Sequence, residues 1–157
     1  SGDYFVITTL AIGECTKLLI ENMPTITGGS RGLTDIEKGT SFKIRLKARF
    51  NEDIQEPILA YTFKNIKGTE ITGTNTMFEK VQIERSGKGD ICTVTFTQDM
   101  NLQGGEYLLS FGCTGYKDGD FTVFHRLYDA CNITVVSSKN TVGFYDMNSK
   151  IEVQCEG

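Results

Sequence analysis

One histidine, His125, is all this sequence offers toward imidazole chemistry. Clusters of histidine ligands are therefore excluded, and a Ser-His-Asp triad has a single possible base. No serine lies in a G-x-S-x-G elbow and no G-x-x-x-x-G-K-[ST] loop occurs, which removes two common signatures of hydrolysis and nucleotide binding. Asp118 and Asp120 flank a glycine, but the remaining ligands of a calcium loop are missing. Carboxylates close in sequence fall in surface-like turns, without the apolar surroundings a general acid needs. The chain is read as a non-enzyme, with no metal and no cofactor.

Positive charge is also outnumbered: Lys+Arg 16 against Asp+Glu 20 gives a net charge of −4, so nucleic acid has no global electrostatic attraction to this chain. No apolar run approaches the roughly 20 residues that cross a bilayer, and the amino end has no signal-peptide pattern. Direct membrane insertion is not expected. The cysteines, Cys15, Cys92, Cys113, Cys131 and Cys155, are odd in number and include no C-x-x-C pair. The last four share strand phase with apolar neighbours, where free cysteine behaves as a small hydrophobe. A reducing compartment follows.

What is present is alternation. At 157 residues, 39% hydrophobic and 23% charged, the chain is sized for one soluble domain, residues 1–157. In residues 41–50, Phe42, Ile44, Leu46, Ala48 and Phe50 take one face while Lys43, Arg45, Lys47 and Arg49 take the other. The cationic face is either an anion or phosphate groove, or a solvated face that discourages edge pairing. Residues 57–76 read as a hairpin: Leu59, Tyr61 and Phe63 alternate with polar positions, Asn65-Ile66-Lys67-Gly68 turns, and a second strand ends at Gly73-Thr74-Asn75-Thr76. Further strands are expected over 3–11, 17–21, 91–98, 106–113, 121–128, 131–136 and 151–155, with a long loop over 22–39. With no amphipathic helix and no repeat, this predicts an all-β protein, a β-sandwich of jelly-roll or immunoglobulin-like type with about nine or ten strands.

Strict alternation through residues 121–128 turns Phe121, Val123 and Leu127 inward and Thr122, Phe124, Arg126 and Tyr128 outward. His125 shares the inward phase and is expected to be half-buried. Two rings and a guanidinium on an outer face suit sugars, because rings stack on pyranose faces and arginine donates several hydrogen bonds to hydroxyls. Thr62 and Ser110, with Ala60 and Gly112, would leave a shallow trough beside them. The candidate carbohydrate-binding residues are Phe124, Arg126, Tyr128, Thr62, Ser110 and His125. The same face could instead pack on another subunit.

Several segments, in order, resemble a known family. Pro57 and the apolar strand after it, Lys67-Gly68, Gly73-Thr74-Asn75-Thr76, Gly105-Glu106-Tyr107, His125-Arg126, Tyr128-Asp129-Ala130 and the strand at Ile133 and Val135 resemble the carboxy-terminal domain of Wzt-type ATPase subunits. Those subunits serve ABC transporters that export O-antigen and related bacterial polysaccharides. The resemblance spans most of the chain from about Lys38 and is fainter before it. It implies a jelly-roll-type sandwich that recognises the polysaccharide at the cytoplasmic face, peripheral to the inner side of the plasma membrane. ATPase and transmembrane subunits are the implied partners. It also implies a homodimer, with the final strand, residues 150–156, as the element to be exchanged between protomers. Asn75 is read as structural, its amide bonding backbone around the corner. The alternative is a dimerisation or interaction module that does not touch glycan.

Overall fold

The computed structural model describes residues 4–12, 15–23 and 33–157, with side chains from Asp35 onward. Every regular element among them is a β-strand. In chain order these are β1 Tyr4–Ile12, β2 Cys15–Met23, β3 Leu33–Glu37, β4 Ser41–Arg49, β5 Gln55–Asn65, β6 Glu70–Asn75, β7 Ile91–Asp99, β8 Gly105–Lys117 and β9 Asp120–Val136. They form a four-stranded sheet, β2-β1-β4-β7, and a five-stranded sheet, β3-β9-β8-β5-β6. Most neighbours are antiparallel, but β1 runs parallel to β4 and β3 parallel to β9.

The two sheets face each other across one core. Phe42, Ile44, Leu46 and Ala48 of β4 and Phe96 of β7 meet Leu59, Tyr61 and Phe63 of β5, Leu109 and Phe111 of β8, and Ile133 and Val135 of β9. Rings bridge the sheets edge to face: Phe42 to Phe63 at 6.2 Å and Tyr61 to Phe96 at 5.1 Å between centroids. Each such fully buried side chain contributes about 1.5–3 kcal/mol, so β4 and residues 57–64 of β5, which alternate without interruption, are the backbone of the sandwich.

The hairpin of β5 and β6 closes as its sequence predicts. Asn65 Oδ1 accepts the N–H groups of Lys67 and Thr69 across the turn. Gly73 packs flat on β5, where a Cβ would lie 2.5 Å from the carbonyl oxygen of Tyr61. At the far end, Asn75 Oδ1 accepts the N–H of Phe78 at 2.7 Å and Thr74 Oγ1 donates to Glu79 Oε2 at 2.6 Å. Buried Thr76 exchanges bonds with Leu59: its hydroxyl accepts the Leu59 N–H at 3.2 Å and its own N–H donates to the Leu59 carbonyl at 3.0 Å, tying the corner to the edge of the core. The β8–β9 hairpin turns on Asp118 and Gly119, both at positive φ (52° and 84°), the pair of left-handed residues a two-residue turn requires.

Two expectations are corrected. The segment assigned to a loop contains β3, five residues whose described side chains include one fully buried anchor, Ile36; residues 24–32 of that loop lie outside the described residues. Conversely, residues 151–155 form no strand. Ile151 is 82% exposed, Val153 and Cys155 are likewise exposed, and the apolar phase expected of Cys155 has no core to meet.

Candidate functional site

The outer face of the five-stranded sheet is shaped by two irregularities in β9. Cys113 pairs with His125 and Thr114 with Val123, so Phe124 is an extra residue against β8. A single inserted residue reverses strand parity. Before the bulge, Phe121 and Val123 face outward, 57% and 46% exposed, and Phe121 meets Tyr116 edge to face at 5.7 Å. After it, Leu127 turns inward and packs on the core while Arg126 faces out. Phe124 itself is half-buried and packs against the core. The expected inward placement of Phe121 and Val123 and outward placement of Phe124 are thus corrected, for one reason: alternation was carried through a bulge.

The second irregularity is larger. Leu109 pairs with Cys131 and Phe111 with Leu127, so Tyr128, Asp129 and Ala130 stand against Ser110 alone. Asp129 takes φ 51°, a left-handed conformation that aspartate tolerates better than most residues. Its N–H donates to Ser110 Oγ at 2.8 Å. Ser110 is consequently buried, 6% exposed, and holds the bulge rather than lining an open trough. The excursion lifts Tyr128 out of the sheet to 63% exposure, with Lys64 Nζ 5.0 Å from its ring centroid. At exposed sites such a cation–ring contact is worth about 0.5–1 kcal/mol.

Arg126, Tyr128 and Thr62 therefore share the outer face. In register across the strands, Asn75, Ala60, Gly112 and Arg126 form one row, and Gly73, Thr62 and Ser110 the next. The floor of small residues continues into an open groove of about 340 Å³ lined by Ala60, Thr62, Thr72, Gly73, Asn75 and Phe78. His125 is placed elsewhere. It lines a void of about 20 Å³ between the sheets with Leu46, Ala48, Leu59 and Phe111, away from the face that carries Arg126.

Lys64, Phe78, Tyr116 and Phe121 belong to this face and escaped the sequence reading. Lys64 shares parity with Ala60 and Thr62 and was within reach of it. Phe121 was hidden by the bulge, Tyr116 lies beyond the strand expected over 106–113, and Phe78 lies in an irregular segment that no periodicity describes.

A polar clasp lies at the other end of the sandwich. Lys38 Nζ meets Asp146 Oδ2 at 2.7 Å and also donates to Gln103 Oε1 at 3.0 Å and to the carbonyl of Lys139 at 2.7 Å. Gln103 Nε2 donates to Thr141 Oγ1 at 2.7 Å, and the Thr141 N–H returns a bond to Gln103 Oε1. The Lys38 bond, the N–H of Asn148 and the charge of Lys139 together hold the Asp146 carboxyl down at about 2. Among the described residues no three His, Cys, Asp or Glu side chains gather as a metal site. Burial, reinforced by the neighbouring Cys92, pushes the Cys113 thiol up to about 12, which leaves it an inert core group.

Among known proteins, a crystal structure of the C-terminal domain of Wzt superposes with a TM-score of 0.68 at 23% identity, covering 76% of this chain and 74% of that one, a likeness of fold. A separate local match, 39% identity over 51 residues, is to the high-affinity branched-chain amino acid transport system permease protein LivM of Escherichia coli (strain K12) and of Salmonella typhimurium. It spans 32% of this chain and only 12% of either permease. The family model of the Wzt C-terminal domain matches residues 17–147, and the chain belongs to that family.

Proposed function

We propose that this sandwich, of jelly-roll or immunoglobulin-like type, is the non-catalytic domain that binds a bacterial cell-surface polysaccharide for an ABC exporter at the cytoplasmic face. Membership of the Wzt C-terminal domain family supports a role in polysaccharide transport, with the transporter's ATPase and transmembrane subunits as partners. The observation that carries glycan binding is the outward trio of Arg126, Tyr128 and Thr62 over a floor of small residues. Tyr128 gives a stacking plane already flanked by a cation, Arg126 gives a fork of donors, and Ala60 with Gly112 lets a sugar ring approach the sheet. Phe78 and the groove beside β6 extend the face toward a second sugar. The test is titration of the domain with the exporter's own polysaccharide, comparing the parent with Arg126→Ala and Tyr128→Ala. Unchanged affinity in both would remove this face from the binding site.

A second reading, a dimerisation module, is favoured by a different observation. Ile151 and Val153 are exposed and alternate with Glu152 and Gln154, a half-apolar strand pattern without a sheet. Residues 150–156 would complete such a strand on a second copy of the chain. Sedimentation of the domain with and without residues 149–157 tests it, and a dimer that persists without them would exclude that route.

A further inference from the structure

The four-stranded sheet carries an unexplained line of positive charge. Lys43, Arg45, Lys47 and Arg49 share the outer face of β4, the first two half-buried and the last two exposed. Keeping sheet edges from pairing is a common reason for such charges, but β4 lies between β1 and β7 and has no free edge. For Arg45, Lys47 and Arg49, neighbouring carboxylates do not explain the charge either. On β7 the residues in register with Lys43, Arg45, Lys47 and Arg49 are Thr97, Thr95, Thr93 and Ile91. On β1 the positions in register with Arg45, Lys47 and Arg49 are Thr8, Leu10 and Ile12. The nearest acidic position on β7 is Asp99, opposite Ser41 at the Lys43 end of the row. Among the described residues, Arg45, Lys47 and Arg49 have no ion-pair partner.

Like charges on alternate positions of one strand sit about 7 Å apart and repel. Here they gather on one face of a chain whose net charge is −4. Such an arrangement lowers stability unless an anion neutralises it, and its shape says which anion. The charges run in a line, about 13 Å from Arg45 to Arg49, beside a parallel row of three exposed hydroxyls, Thr93, Thr95 and Thr97. A guanidinium binds a carboxylate through two hydrogen bonds, and a threonine hydroxyl can donate to or accept from a sugar hydroxyl. We infer that this face is a second glycan site, selective for an acidic polysaccharide whose carboxylates lie along β4 and whose hydroxyls meet the β7 threonines. A membrane surface suits it less well, since the β7 side of the line is a row of exposed threonines, which offers little to insert. The ligand class rests on the polysaccharide reading above; the location does not.

The probe is tetragalacturonate, with mannotetraose as the uncharged control, phosphatidylserine vesicles as the membrane control and single-stranded DNA as a second polyanion. In 50 mM salt the whole chain should bind tetragalacturonate, with amide shifts concentrated on β4 and β7. The affinity should fall about tenfold or more in Arg45→Gln/Lys47→Gln/Arg49→Gln, and also on raising salt. If the triple variant does not fold, Lys47→Gln alone, at an exposed position, should still weaken binding severalfold. The site is overturned if tetragalacturonate does not bind, if its shifts map to β9, if the substitutions leave its affinity unchanged, or if vesicles or DNA bind this face more tightly. Mannotetraose or the exporter's own polysaccharide bound through Tyr128 while β4 stays silent would refute the acidic site and leave the proposed function standing.

Discussion

The hydroxyl of Ser110 accepts the backbone N–H of Asp129 at 2.8 Å, and this one bond supports the three-residue excursion that brings Tyr128 over Lys64. A buried serine on β8 thus determines where an exposed ring on β9 stands. Replacing Ser110 by alanine leaves the Asp129 N–H without its partner, and the expected cost is about 1–2 kcal/mol in urea denaturation. Polysaccharide affinity should fall with it, although Ser110 is not placed to touch the ligand. A variant of full affinity would show that the excursion holds without this bond.

Direct contact is a separate matter. Tyr128→Ala and Arg126→Ala should each weaken polysaccharide binding by about tenfold, with urea midpoints close to the parent because both side chains are exposed. Tyr128→Phe should keep most of the affinity if stacking dominates. A loss equal to that of alanine would instead assign the role to the phenol hydroxyl.

Gly73→Ala forces a methyl group to within 2.5 Å of the Tyr61 carbonyl oxygen, which belongs to rigid backbone. Destabilisation of about 1–3 kcal/mol is expected. Asn75→Ala removes the acceptor for the Phe78 N–H and should cost about 1 kcal/mol. The two effects can be compared in one denaturation series; a Gly73→Ala protein as stable as the parent would contradict the close packing of β6 on β5.

Acid should loosen the clasp in a defined window. The folded-state pKa of Asp146 lies near 2, below the ordinary 3.8, so its contribution to stability is complete above about pH 4 and is lost as the pH falls through about 2. Asp146→Asn should remove that part of the acid dependence while lowering stability near neutrality. Hydrogen exchange at the Gln103 and Asp146 amides, which bond to Phe144 and Asn101, should quicken in the variant. Parallel stability curves for the two proteins between pH 5 and 2 would count against the clasp.

Thiol labelling separates the cysteines by burial. Cys155 is exposed and should react with iodoacetamide in the native protein, whereas Cys113 and Cys131 are buried and should react only on unfolding. Peptide mass mapping reads this directly, and rapid native alkylation of Cys113 would indicate an open core.

Much of the architecture was legible because β4, β7 and residues 57–64 of β5 keep a period of two, and because Asn65-Ile66-Lys67-Gly68 and Asp118-Gly119 are turn sequences. The outer face was only half legible. Residues 121–128 carry apolar side chains in both phases, so nothing in the pattern revealed the extra residue at Phe124, and the cost was the placement of Phe121, Val123 and Phe124. Ser110 was assigned by parity alone, which takes no account of what a neighbouring bulge covers, whereas for His125 parity gave the inward, half-buried place that the structure shows, against its inclusion among the sugar-binding residues. β3 was missed because its short sequence is polar apart from Leu33 and Ile36. Residues 151–155 have the right alternation for a strand, but alternation specifies a face, not a partner edge.

The clasp of Lys38, Gln103 and Asp146 fixes the point of departure of everything beyond Asn148. Residues 149–157 start from an anchorage on the sandwich wall, and nine residues at full stretch reach about 30 Å. Whatever they grip must lie inside that radius, on the side of the molecule where β3 gives way to β4.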